Sequence, residues 1–367
     1  MKDINEVEEF AVGTIPGNTQ LLSNLSEESD LLSQEISYLM GGVESYRDIN
    51  RRSNVEIAIS KEDYSFNLRA LIDRILRYLT NLAQDIFDGS AAGALAIEAT
   101  ISRAERMLTN SRTQRRNHQK TTFLIGTRIA NLSVRYKPIE DPQFLLSQLK
   151  ILGTTLRSVL TYLTQSVFNG FQDLIGFDPL TGDIDQLARK LQSSAPSVLG
   201  GDNRFVNKGY AIYSPQLLGC QQVVIANARP DGAALEQILG CQMTIENAAK
   251  DPLTLPQAIA YSKFGITLEQ SLIREVVEVA NILSSTNTLS RRSLRRSRLK
   301  LINDRLATLG KQLNDTEIDE GTQVQIRNYI RILEVYSGWM SSPFVGIIAL
   351  THRNLSAILN VCEANAS

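Results

Sequence analysis

The chain is 367 residues long, 43% hydrophobic and 21% charged, with a formal net charge of −1. Those are proportions of a globular protein with a sizeable core, and they exclude a wholly disordered chain. Two distant histidines, His118 and His352, and three cysteines without close spacing, Cys220, Cys241 and Cys362, speak against a His-based metal site, a zinc site or a disulfide framework.

The charge is unevenly placed. Residues 1–35 hold eight acids (Asp3, Glu6, Glu8, Glu9, Glu27, Glu28, Asp30, Glu35) and one base, Lys2, a net of −7 in a chain of −1, so residues 36–367 carry +6. An acidic leader on a basic body points to a segment that masks the body or is removed from it. Its start lacks the basic and apolar regions of a secretory signal.

Gly13, Pro16 and Gly17 break any helix in the first 27 residues, which read as a loose leader. Helical spacing of Leu31, Leu32, Ile36, Leu39 and Met40 predicts a helix over 28–49, weakened at Gly41-Gly42. The strongest pattern is over 61–88, where Leu68, Leu71, Ile72, Ile75, Leu79, Leu82 and Ile86 share a face and Gly89 offers a cap. A second helix is expected over 91–110, then a basic connector with Arg112, Arg115, Arg116 and Lys120. Further helices are expected over 123–134 and, on a stripe of Leu145, Leu149, Leu152, Leu156, Leu160 and Leu163, over 142–177.

The composition changes after the Ser193–Gly201 stretch. Segments 205–213 and 221–228 are aromatic and β-branched around Ser214-Pro215 and Leu218-Gly219, which predicts one β-hairpin. A short element over 235–248 follows. Helices are then expected over 254–263, 268–284, 290–313, 322–337 and 344–362. The fold class is mainly α, a long-helix bundle with one small β-hairpin insertion and a C-terminal helical part. The parts are an acidic leader (1–35), a helical bundle (36–192), a linker with the hairpin (193–250) and a C-terminal helical region (251–367).

No GxSxG, HExxH or phosphate-binding loop occurs, and the expectation is a protein that is not an enzyme and needs no cofactor or metal. The acids of Asp183/Asp185 and Glu317/Asp319/Glu320 lie in polar linkers and read as structural. The strongest functional candidate is the basic run Arg291, Arg292, Arg295, Arg296, Arg298 and Lys300. On a helix such a run forms a stripe that neutralises phosphates in a salt-sensitive, sequence-independent way. No interleaved aromatics support stacking on single strands. The blander reading of the run is a solvated helix face. No apolar run approaches the length that spans a bilayer, so no membrane partner is expected.

The polar leader ending in Leu32-Ser33-Gln34-Glu35, the helical body beginning around Tyr64 and the hairpin before a last helical third together resemble virion structural proteins of large tailed bacteriophages, especially those packaged inside the head. That resemblance implies a helical bundle with a small β insertion, made in the host cytoplasm and housed in the virion. It also implies a leader trimmed by a head maturation protease that prefers a small residue two before a Glu. Ser33, Glu35 and Ile36 would then mark the cut, after Glu35. Implied partners are further copies, other virion proteins and duplex DNA contacted without sequence preference. A cytosolic helical scaffold and an α-helical pore former are the competing readings.

Overall fold

The computed structural model describes residues 68–111, 121–126, 128–135, 137–164, 168–194, 206–208, 211–226, 233–239, 242–247, 255–286, 289–315 and 318–367. Among these the protein is mostly helical, with small antiparallel β elements. The expected helix at 28–49 and the cleavage candidates Ser33, Glu35 and Ile36 lie outside the described residues, as does the basic connector 112–120.

Helix α1 spans Leu68–Asn110, 43 residues, without a break at Gly89. The two helices expected there are one. A central glycine costs a helix only about 1 kcal/mol, and packing of both halves outweighs it: Ile72, Ile75, Ala96, Ile97 and Ala104 are all buried. Where a helix is expected over 123–134, the chain forms strand β1 (Thr122–Ile125), a 3-10 turn (Ile129–Leu132) and strand β2 (Ser133–Val134), which pairs with β3 (Lys137–Pro138). Arg128, with a left-handed φ of 56°, breaks the helix there.

The expected helix over 142–177 is divided into α2 (Pro142–Tyr162) and α3 (Phe168–Gly176). Asp141 caps α2 by accepting from the Gln143 backbone N–H at 2.9 Å, with Pro142 in the first turn. The leucine stripe of α2 is buried from Leu145 to Leu163. Helix α4 (Ile184–Ser194) follows, capped by Asp183, which accepts from Asp185 N at 2.9 Å.

The β part is larger than one hairpin. Strands β4 (Val206–Lys208), β5 (Ala211–Tyr213), β6 (Gln221–Ala226) and β7 (Gln242–Asn247) form a four-stranded antiparallel sheet in sequence order. The first expected strand is itself a pair, with Val206 opposite Tyr213. Short helix α5 (Ala234–Leu239) joins β6 to β7. A tight turn leads into β6, where Gly219 (φ 82°) and Cys220 (φ 55°) are left-handed and both donate N–H to Ser133 O, at 3.1 and 3.2 Å. Asn354 Nδ2 holds the same turn by donating to Leu218 O at 3.0 Å.

The expected helix over 254–263 is instead strand β8 (Ile259–Ser262), paired with β1 so that Thr122 faces Ser262 and Ile125 faces Ile259. The alternation of buried Ile259 and Tyr261 with exposed Ala260 and Ser262 is a strand pattern. Phe123 stacks on Tyr261 across the pair, with ring centroids 5.5 Å apart.

Three long helices close the chain: α6 (Ile266–Thr286), α7 (Leu289–Asp315) and α8 (Glu320–Ala366, 47 residues). The last is one helix where two are expected, continuing through Pro343. A proline there forfeits one backbone hydrogen bond. Packing on both sides, from Ile326 to Tyr336 and from Ile347 to Cys362, holds the rod together.

Specific contacts fix how these rods run. Gln270 meets Ser111, Asn303 meets Thr80 and Gly310 lies against Ile72. Helices α6 and α7 therefore pass in succession antiparallel to α1. Gly93 lies against Ile348, Thr100 against His352 and Arg103 against Asn360 and Glu363, so α8 runs parallel to α1. One main core joins the helices, the four-stranded sheet and the β1–β8 pair.

Candidate polyanion-binding helix

All six bases of the basic run lie in the first turns of α7. Residues 289–300 contain no acid. Leu299, Ile302, Leu306 and Leu309 are buried and define the inner line of this helix. At about 100° per residue, Arg295 falls on that line, with Arg291 and Arg298 on one flank and Arg292 on the other. Arg296 and Lys300 fall on the outer side and are exposed, as are Ser297, Asp304 and Lys311. Arg298 is half-buried, and burial lowers its pKa. The side chains of Arg291, Arg292 and Arg295 lie outside the described residues. One helix therefore brings the run together, and of its described bases Arg298 is half-buried while Arg296 and Lys300 are exposed.

No family model, no curated protein and no solved structure matches the chain.

Among the described residues, no group of three or more His, Cys, Asp or Glu is placed to hold a metal ion. None of the described helices is long and apolar enough to cross a membrane. The segment 341–348 lies inside α8, with Ile347 and Ile348 buried. Two acids of the polar linkers, Asp183 and Asp319, cap helices. Asp319 accepts from Thr322 N at 3.0 Å and Thr322 Oγ1 at 2.6 Å, and these bonds lower its pKa.

Two buried polar clusters escape a reading of the sequence. In the first, Thr100 Oγ1 donates to Ala96 O at 2.8 Å and lies 3.1 Å from His352 Nδ1. The hydroxyl has one proton, so His352 Nδ1 is the donor and its Nε2 carries a bare lone pair. Nε2 is buried without a hydrogen-bond partner among the described residues. Burial, with the positive field of Arg128, Arg103 and Arg353, pushes the imidazole down to about 4. It is a neutral core histidine. The available sequence signal is the polar run Thr351-His352-Arg353-Asn354 inside an apolar stretch.

The second cluster fastens the end of α8. Asn365 Nδ2 donates to Phe264 O at 3.2 Å and to the buried carboxylate of Glu269, while Asn365 Oδ1 accepts from Phe264 N at 3.0 Å. Lys263 Nζ donates to the carbonyls of Ala364 (3.2 Å) and Asn365 (2.6 Å), where the helix dipole favours a cation. Cys362 is a free, buried thiol, pushed up first by burial and then by Glu269. A thiol held protonated in this way is a poor nucleophile.

Proposed function

We propose that the chain is a non-enzymatic structural protein of a virion, located inside the head beside packaged DNA and matured by cleavage after Glu35. The observation that carries this reading is the pairing of opposite charges within one chain. Six bases without an acid occupy 289–300, and eight acids with one base occupy 1–35. Removing the leader takes the net charge from −1 to +6. A body close to neutral during assembly then becomes cationic next to a polyanion. The long rods of α1 and α8, of 43 and 47 residues, fit a part whose work is to hold shape and make contacts. The resemblance of the leader and layout to internal head proteins of large tailed phages gives the setting.

The chemistry expected of the basic run is contact with phosphates and no reading of bases. Binding of duplex DNA by the processed protein should weaken steeply with salt, with a slope of log K against log salt of about −0.9 per phosphate contact. Affinity should be equal for unrelated sequences of the same length. Salt-insensitive binding, or no binding at low salt, removes DNA as the partner.

A further inference from the structure

The middle of α8 carries a charge without a counter-charge. Arg353 is half-buried, and its Nε donates back to Ala349 O at 3.3 Å. That bond folds the side chain over the turn that holds His352, where Ala349 packs on Ala96 of α1. Among the described residues Arg353 forms no ion pair. Burial lowers its pKa, and no acid offsets the shift. A guanidinium withdrawn from water is costly without an anion, and its N–H donors call for acceptors.

The surroundings hold no carboxylate for it. Residues 335–362 of α8 contain no Asp or Glu, and neither do residues 121–139, which include the 3-10 turn packed on α8. The one acid of α1 between 89 and 104, Glu98, is exposed and stands about 200° round the helix from Ala96. Glu363 is taken, since it accepts from Arg103 Nε at 2.9 Å and from Arg103 Nη2 at 2.6 Å. The charges acting on His352 are accordingly those of Arg128, Arg103 and Arg353, all positive. Arg128 is held here by a left-handed backbone, φ 56°, a costly conformation of the kind that gathers at functional sites. Beside these donors stands one acceptor, His352 Nε2, whose lone pair is buried without a partner among the described residues.

We infer that the junction of α8, α1 and the 3-10 turn binds an inorganic phosphate ion. Its oxygens accept from the Arg353 fork in charge-assisted hydrogen bonds, and Arg128 and Arg103 supply the surrounding positive field. Its own O–H, which phosphate keeps near neutral pH, donates to His352 Nε2. The bond from Nδ1 to Thr100 Oγ1 fixes the tautomer that leaves Nε2 free to accept. Sulfate, carboxylates and the phosphodiesters of DNA carry no such proton. The site is therefore distinct in chemistry from the basic run of α7 and independent of the function proposed above.

The test is a calorimetric titration of the full chain with sodium phosphate at pH 7 and low salt, with sodium sulfate titrated in parallel. Phosphate should bind saturably, and sulfate should bind about tenfold more weakly, because an oxygen without a proton would face the Nε2 lone pair. Arg353→Gln should weaken phosphate about tenfold by removing the charged donors. Arg128→Gln should weaken it severalfold through the lost field, with circular dichroism checking both folds. If Arg353→Gln does not fold, Arg353→Lys takes its place: it keeps the charge without the fork and should still lose affinity. Sulfate binding as tightly as phosphate overturns the inference, and so does the absence of saturable binding. Phosphate affinity unchanged in the folded arginine variants also overturns it and assigns the ion to other bases.

Discussion

At the residue scale, His352 makes stability depend on pH. The buried imidazole is held neutral, with its pKa pushed down to about 4, while an exposed histidine in the unfolded chain titrates near 6.5. The folded state therefore binds the proton more weakly than the unfolded one. Its contribution is complete above pH 6.5, falls as the pH drops towards 4 and is gone below it, a swing of about 3 kcal/mol. Urea unfolding at pH 7.5 and pH 4.5 should show the loss, and His352→Gln should flatten that part of the profile. An identical profile in the variant would place the acid sensitivity elsewhere. Two glycines of α3 give a paired test of packing. A Cβ on Gly170 would stand 2.5 Å from Tyr336 Cε1 and 2.9 Å from its hydroxyl, whereas a Cβ on Gly176 meets nothing within 4 Å. Tyr336 is buried and cannot swing clear cheaply. Gly170→Ala should cost about 1–3 kcal/mol by overpacking, and Gly176→Ala should be neutral or slightly stabilising. Thermal melts of the two variants check the contrast, and equal melting temperatures would contradict the tight Gly170–Tyr336 approach.

At the scale of elements, α8 is fastened at its end by the Lys263–Glu269–Asn365 cluster. Asn365→Ala removes three hydrogen bonds, those to the Phe264 N–H, the Phe264 carbonyl and the Glu269 carboxylate. The loss should be about 3 kcal/mol, since three hydrogen bonds at about 1 kcal/mol each are lost. Hydrogen exchange should speed up in β8 and the last turns of α8 before the rest of the bundle. Uniform exchange would mean that the cluster does not anchor those elements. The same elements show what was legible in the sequence. The apolar stripes of α1, α2, α6 and α7 named the helices and their buried faces, because one-sided packing leaves a period of 3.6 in the chain. The breaks were misplaced. Gly89 and Pro343 look like ends locally, yet contacts between helices distant in sequence override them. Strand β8 looks like a helix until its partner β1, more than a hundred residues earlier, is known. The basic run was legible as a run. That Arg298 is half-buried while Arg296 and Lys300 are exposed needed the structure, with Leu299, Ile302, Leu306 and Leu309 buried on the inner side.

At the scale of the whole molecule, charge and architecture point the same way. Rods α1 and α8 pack directly against each other in parallel, α6 and α7 run antiparallel to α1, and one main core joins them. With the leader in place, the chain is near neutrality, and without it the chain carries +6. Under the proposed cut, self-repulsion of the product and its attraction to a polyanion would both follow from that change, and both would be screened by salt. The most direct test is the N-terminal sequence and intact mass of the protein recovered from its natural source. A start at Ile36 is the predicted result and establishes that the leader is cut after Glu35. A start at Met1 would contradict maturation by cleavage and leave a generic helical assembly protein as the better description.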